Sequence, residues 1–426
     1  MDSSIYQNYI LILKEELIPA LGCTEPIAIA YAAAEAAALL PEAPVRMEVW
    51  CSGNIIKNVK SVTVPNSGGM KGIEAAAVLG MTGGDPRRKL EVLSAVTEEH
   101  ICRTRELLGA GFCSCHLAEN VSNLYILVKL SGGEHCAQVE IADRHTHITK
   151  KILDETVLFS AGREEPCPET VKGDRSLLNV RDILEFADTV RLEDVKDLLD
   201  RQIQMNSAIS DEGLRGHYGA DVGKTLLSVY GDDVKTRAKA RAAAGSDARM
   251  SGCSLPVVIN SGSGNQGMAV SLPVIEFAKE LGAGQERLYR ALVLSNLLSL
   301  HQKKYIGSLS AYCGAVSAAC GSGAAITYLC GGGYEEISRT ITATIANVGG
   351  IVCDGAKPSC AAKIASAVDA AIMAHYLSAH DHTFSPGDGL VKDNVEETIA
   401  SLGRVGREGM RSTDVEILRI MTEPSS

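Results

Sequence analysis

Aromatic residues are scarce in this 426-residue chain, and strongly apolar runs are absent from it. Aromatic side chains make up 4% of the sequence, with 1 Trp and 5 Phe, while glycine occurs 41 times. This composition favours helices that pack closely through small side chains. One uncharged stretch, residues 305–334, is rich in Gly, Ala, Ser and Cys but poor in Leu, Ile and Phe. It therefore predicts a buried helix and not a membrane span.

Positive charge is also in short supply. The sequence has 41 Lys and Arg against 52 Asp and Glu, a net charge of −11, and no basic run with interleaved aromatics. This balance argues against a nucleic-acid or anionic-membrane partner. The N-terminal segment has no cationic start and carries Lys14, Glu15 and Glu16, which is not typical of a secretory signal. We expect a cytoplasmic protein with a small-molecule substrate, and a homo-oligomer remains open.

Cysteine spacing excludes several classes of site. The chain has 13 cysteines, but no Cys-x-x-Cys pair, no zinc-finger spacing and no compact ferredoxin motif. An odd number of cysteines in a chain without an export signal favours reduced thiols, metal ligands or catalytic groups over disulfides.

The order of patterns along the chain predicts an α+β fold. A segment of strong helix-forming residues follows Cys23. Segments rich in β-forming residues, separated by Gly turns, occupy residues 44 to about 160, and "NIIKNVKSVTVP" is one of them. Residues 85–108 have a helical pattern, and almost only helices follow residue 177. We predict a mainly helical catalytic domain with a smaller inserted α+β domain. The predicted boundaries are 1–43 for the N-terminal helical part, 44–164 for the inserted domain and 165–426 for the helical catalytic domain.

Three cysteines lie in glycine-rich, charge-poor surroundings. They are Cys313, Cys353 and Cys360, the last two separated by a Gly-Ala-Lys-Pro turn. Spacing alone leaves disulfides, small-residue packing and soft metal ligands open. If three thiolates held a four-iron cluster, one iron would be free to act as a Lewis acid. Cys320 and Cys330 are most simply packing residues.

Cys23 stands immediately before a predicted helix. The helix dipole and free backbone N–H groups stabilise a thiolate at such a position. A thiolate there can be a ligand, a nucleophile or a general base. Glu25 is a competing base, and a cysteine of no special role is the alternative.

Two glycine-rich loops combine free backbone with polar side chains. In "NSGSGNQG", residues 260–267, the side chains are Ser263, Asn265 and Gln266. In "PNSGGMKG", residues 65–72, they are Asn66 and Lys71. Both loops suit a small carboxylate or a phosphate, although neither is a Walker loop and ordinary turns remain open.

The histidines carry a weaker signal. His145 and His147 alternate on a predicted strand, so they would share one face. That face could bind a metal or simply face solvent.

Several of these segments together resemble one known family. "LGCTEPIAIAYAAA", "VPNSGGMKGIEAAAVLG", "VINSGSGNQGM" and the three cysteines are similar to the L-cysteine desulfidase family, relatives of the iron–sulfur L-serine dehydratase alpha chain. The similarity extends along nearly the whole chain. It implies cleavage of L-cysteine to pyruvate, hydrogen sulfide and ammonia without pyridoxal phosphate. It also implies an oxygen-labile [4Fe-4S] cluster on Cys313, Cys353 and Cys360, with one iron not ligated by protein, and Cys23 as the proton acceptor.

Three other functions compete with this one. An iron–sulfur L-serine dehydratase would use the same chemistry on serine. A pyridoxal-phosphate lyase would need a lysine for the Schiff base, and no lysine here has a distinctive setting. A non-enzymatic metal-binding protein would use its cysteines structurally.

Overall fold

A computed structural model describes residues 1–161, 172–307 and 310–423 of the chain. The strands are β1 (Pro19–Leu21), β2 (Arg46–Cys51), β3 (Cys113–Leu117), β4 (Tyr125–Gly132), β5 (His135–Ala142), β6 (Ile148–Leu153), β7 (Thr156–Ser160) and β8 (Pro256–Val258). The helices of the first half are α1 (Ser3–Glu16), α2 (Thr24–Leu39), α3 (Gly53–Val59), α4 (Ile73–Gly83), α5 (Glu98–Gly109), α6 (Val180–Thr189) and α7 (Leu192–Arg215). Those of the second half are α8 (Val222–Tyr230), α9 (Val234–Met250), α10 (Gly264–Glu280), α11 (Gln285–Ile306), α12 (Gly314–Leu329), α13 (Tyr334–Val348), α14 (Cys360–Ala379), α15 (Val395–Arg404) and α16 (Arg411–Thr422).

Six strands form one mixed sheet in the order β3-β2-β4-β5-β6-β7. β2 and β3 are parallel, and the other neighbours are antiparallel. Along β4, buried residues alternate with half-buried ones, because one face of the sheet is covered by α2 and α4. The α+β fold class predicted from the sequence is confirmed.

Small residues permit close helix packing, as the composition predicts. A Cβ atom added to Gly80 of α4 would lie 2.2 Å from the carbonyl oxygen of Ala30 in α2. The two backbones therefore touch at a point where any larger residue would separate the helices.

Residues 314–329 of the uncharged stretch form α12, whose residues are buried almost throughout. α12 packs against α10, α11, α13 and α14, so the prediction of a buried helix is confirmed. Within the described ranges, no helix is both long and apolar enough to cross a membrane.

A short strand pair ties the N-terminal segment to the helical part. β1 and β8 pair antiparallel, with Pro19 opposite Val258 and Leu21 opposite Pro256. α1 packs on α7 and α11, whereas α2 packs mainly on α4 and the six-stranded sheet. The start of α2 thus lies where the two parts of the chain meet. The domain boundaries remain a prediction.

Two local predictions are wrong. The segment predicted as β around residues 53–59 is α3, capped by the Ser52 hydroxyl, which accepts a hydrogen bond from the Ile55 N–H at 3.5 Å. Tertiary contacts favour this helix, since the buried Lys57 ammonium pairs with Asp414 of α16. The helical pattern at 85–108 is interrupted, because α5 begins only at Glu98 after a separate 3-10 turn.

Candidate active site

Four helices, α2, α10, α12 and α14, begin at one cavity of about 570 Å³. The residues at their N-caps are Cys23, Ser263, Cys313 and Ser359, and none of these side chains caps its helix. Without side-chain caps the positive ends of the helix dipoles face the cavity, although the first two N–H groups of α14 donate to the Lys357 and Pro358 carbonyls. Their convergence makes the cavity suited to anionic groups.

Cys313 and Cys353 are placed side by side by a short backbone pairing. The Cys313 N–H donates to the Ile351 carbonyl at 2.9 Å, and the Cys353 N–H donates to the Ala311 carbonyl at 2.7 Å. The interaction between the two thiols raises the pKa of Cys313 well above its usual range and lowers the pKa of Cys353 to about 6.

Cys360, the first residue of α14, lines the same cavity. The turn before it directs the Lys357 N–H at its Sγ, a distance of 3.4 Å. Burial raises the pKa of the Cys360 thiol, and the neighbouring Cys353 contributes in the same direction. The structure therefore brings the three predicted ligands together.

The donor atoms near the three cysteines can be compared with those that metal centres require. Over the described part of the chain, no group of three or more His, Cys, Asp or Glu is placed to hold one metal ion. A cluster is held by thiolates arranged around a larger body, tuned by hydrogen bonds to sulfur. At this cavity the structure places three thiols and one backbone N–H donor to sulfur. The assignment of Cys313, Cys353 and Cys360 as ligands remains a prediction.

Cys23 is paired with Glu25 inside the cavity. The Cys23 thiol donates to Oε2 of Glu25 at 3.0 Å, and Nδ2 of Asn58 donates to Oε1 at 2.9 Å. Burial, and then the negative charge of Glu25, raise the pKa of Cys23 well above its usual range. The thiolate expected from the helix N-terminus is therefore not the favoured form, because desolvation outweighs the dipole.

Glu25 has the opposite character. Burial favours its neutral acid, but interaction with His145 and the hydrogen bond from Cys23 hold the pKa of this carboxyl below its usual value. The pair is thus a thiol beside a carboxylate that accepts from it. Such a pair can take up a proton at one atom and pass it to the other.

The loop at 260–267 lies at this cavity, as its sequence suggests. Ser263, Asn265 and Gln266 all line it. Oε1 of Gln266 is buried and has no hydrogen-bond partner in the described ranges, so it is available to a ligand. The Thr24 hydroxyl donates to the Gly262 carbonyl at 2.9 Å and holds the loop against the start of α2.

The second glycine loop is placed elsewhere. Asn66 and Lys71 are not among the residues that line the cavity. Nδ2 of Asn66 donates to the Leu93 carbonyl at 3.0 Å, and Lys71 is exposed beside Thr63. A glycine pattern predicts a turn, but the direction the turn faces depends on distant packing.

One histidine and two buried cations complete the cavity. His145 lies in the turn between β5 and β6 and not on a strand, with its Nε2 buried and without a hydrogen-bond partner among the described residues. Arg249, near the end of α9, is 2% exposed. Lys303 of α11 is buried, which lowers its pKa to about 8. These side chains come from distant segments, and no spacing pattern relates them.

Comparisons with known proteins agree on one family. A family model described as serine dehydratase alpha chain matches residues 87–419. UPF0597 proteins cover nearly the whole chain. That of Lachnoclostridium phytofermentans is 56% identical over 98% of this chain and 100% of its own length. Those of Desulfitobacterium hafniense and Treponema denticola are 52% and 47% identical, over 99% of this chain and 98% and 99% of their own lengths.

Proposed function

Since the chain belongs to the serine dehydratase alpha chain family, a family of iron–sulfur lyases, we propose that it cleaves L-cysteine to pyruvate, hydrogen sulfide and ammonia. No pyridoxal phosphate is required in this proposal. One observation carries most of the argument: Cys23 and three further thiols line the same cavity, where four uncapped helices begin.

Cys313, Cys353 and Cys360 would hold an oxygen-labile [4Fe-4S] cluster in this proposal. When bound, a cluster with one iron not ligated by protein supplies a Lewis acid for the leaving group of the substrate. The uncapped N-termini of α12 and α14 would stabilise the negative charge of the thiolates.

The remaining chemistry belongs to the side chains of the chain itself. β-Elimination requires a base for the Cα proton, and the electron pair of that C–H bond becomes the Cα–Cβ double bond while sulfur leaves with the C–S electrons. Cys23 would take the Cα proton at Sγ as a thiolate, which forms at a cost because the pKa of this thiol lies far above that of Glu25, the acceptor of its hydrogen bond. The aminoacrylate that forms adds water and releases ammonia and pyruvate.

Substrate positioning falls to the 260–267 loop. Ser263 and the first N–H groups of α10 face the cavity as donors, and the free Oε1 of Gln266 can accept from the substrate ammonium. Holding the substrate in one orientation fixes the Cα–H bond toward the base.

L-Serine is the second candidate substrate, because the matching family model carries the name serine dehydratase. Thiolate sulfur is the softer donor and suits iron better than a hydroxyl does, which favours cysteine. The test is to reconstitute the protein anaerobically and supply L-cysteine alone. Pyruvate and sulfide should appear together, and the absence of both would contradict the proposal.

A further inference from the structure

Arg249 is a buried cation that forms no ion pair with a carboxylate of the described residues, although its charge acts on the nearby Glu25. Arg249 lines the cavity and is 2% exposed. No carboxylate oxygen of the described residues lies within 4.0 Å of its guanidinium, the limit for an ion pair. A buried charge without a partner is costly, and an anionic ligand is the usual compensation.

The other arginines at this cavity are already paired. Arg144 lies 3.9 Å from Glu15, and Arg175 pairs with Glu16. The buried Lys303 interacts with the Cys313 and Cys353 thiols, so its charge acts on the predicted cluster ligands. Of the three arginines that line this cavity, Arg249 is therefore the one left for a substrate.

The guanidinium is oriented by two hydrogen bonds. Nε donates to the Gly22 carbonyl at 2.8 Å, and Nη1 donates to Oδ1 of Asn265 at 3.1 Å. A guanidinium has five N–H groups, so the three that remain can bind a carboxylate through two parallel bonds. The side chain also lies against the start of α10, because a Cβ on Gly264 would be 2.4 Å from Nε.

We infer that Arg249 binds the α-carboxylate of the amino-acid substrate, with the first turn of α10 as a second set of donors. The inference rests on the proposed function. Arg249 is hydrogen-bonded to Gly22, the residue before Cys23. A carboxylate bound by Arg249 therefore places the adjoining Cα beside the Cys23–Glu25 pair. A substrate without a carboxylate lacks this anchor.

The test compares two thiols that differ in the group at issue. 3-Mercaptopropionate has the carboxylate and no amine, whereas cysteamine has the amine and no carboxylate. Isothermal titration of anaerobically reconstituted protein should show that Arg249→Gln weakens the binding of 3-mercaptopropionate about 10²-fold. The affinity for cysteamine should change by less than about twofold. Arg249→Lys keeps the charge but loses the paired geometry, and should weaken 3-mercaptopropionate about tenfold.

The matched control is Arg241→Gln. Arg241 lies on the same helix, pairs with Asp211 and Glu276, and is not among the cavity residues. It should bind both thiols as the wild type does. If Arg249→Gln does not fold, Arg249→Lys carries the test against the same control.

Several results would overturn the inference. Equal weakening of both thiols would make Arg249 structural, and loss of iron in Arg249→Gln would make it a counter-charge for the thiolates. If the wild type cleaves cysteine but Arg249→Gln binds 3-mercaptopropionate as tightly as the wild type, the inference is wrong and the proposed function stands. If Arg249→Gln selectively loses 3-mercaptopropionate binding but the wild type releases no sulfide, the proposed function is wrong and the carboxylate site stands.

Discussion

The Cys23 thiol donates a hydrogen bond to Oε2 of Glu25 at 3.0 Å, and both side chains are buried at the start of α2. A carboxylate of lowered pKa beside a thiol of raised pKa accepts the hydrogen bond but leaves the proton on sulfur in the resting protein. To act as the base Cys23 must first lose that proton, with Glu25 as the nearest acceptor, and substitutions at the two residues therefore give different results.

Cys23→Ala should keep the iron and still bind L-cysteine, but lower kcat by about 10²–10⁴-fold, the usual cost of a lost general base. Exchange of the substrate Cα hydrogen with solvent, where the wild type shows it, should also be lost. Glu25→Gln should reduce kcat while leaving iron content unchanged, because it removes only the acceptor of the thiol proton.

Two outcomes would change these roles. If Cys23→Ala lost iron, Cys23 would be a fourth ligand and no iron would be open. If Cys23→Ala kept near-normal turnover while Glu25→Gln did not, Glu25 would be the base.

Replacement of Cys313, Cys353 or Cys360 by Ala should lower bound iron and abolish turnover, because a cluster with a missing thiolate is not retained. Cys320→Ala and Cys330→Ala are the controls, since neither residue lines the cavity, and both should keep iron and activity. Iron and acid-labile sulfide per protein are the measurement. Full iron in all three single variants would refute the ligand assignment.

Gly22→Ala should both destabilise the protein and disturb the site. Gly22, the residue directly before Cys23, has a φ of +57°. An added Cβ at Gly22 would lie 2.0 Å from Cγ of Pro65. Gly69 has a φ of +87° but nothing within 4 Å of the added atom, so Gly69→Ala should cost only about 1–2 kcal/mol of backbone strain. Urea unfolding of the two variants should show the larger loss for Gly22→Ala. Equal losses would mean that the contact with Pro65 has no energetic weight.

Asp247→Asn should stabilise the protein above pH 6. Asp247 is 1% exposed, with Oδ1 unpartnered among the described residues, and burial raises its pKa from 3.8 to about 6. The folded state therefore favours the neutral acid, and the wild type loses stability as pH rises from about 4 to 6. The advantage of the variant should grow over that window and then level off, at roughly 3 kcal/mol. Unfolding free energies at pH 4 and 7.5 test this, and a difference that does not vary with pH would contradict it.

Local patterns predict the parts of this site that lie at helix starts. Cys23 stands before α2 and Ser263 before α10, and both positions can be recognised from a polar or glycine loop followed by a helix former. The same patterns cannot tell that the loop of Asn66 faces away from the cavity, whereas His145 and Arg249 face it. Those orientations depend on pairing between distant segments, such as β1 with β8.

The direction of the Cys23 pKa shift could not be predicted from the sequence either. The sequence places the thiol at a helix N-terminus, where a thiolate is favoured. It does not show that the thiol is fully buried beside Glu25, and burial then reverses the direction of the shift. The pKa of the thiol depends on how deeply the side chain is buried, and tertiary packing determines that burial.

The most direct test of the central claim is a competition between substrates. Anaerobically reconstituted protein is given equal concentrations of L-cysteine and L-serine, and sulfide and pyruvate are measured together. Cysteine cleavage releases one sulfide for each pyruvate, whereas serine dehydration releases pyruvate alone. We expect a sulfide-to-pyruvate ratio near one in the wild type and no release of either product by Cys313→Ala, whereas a ratio near zero in the wild type would contradict cysteine cleavage.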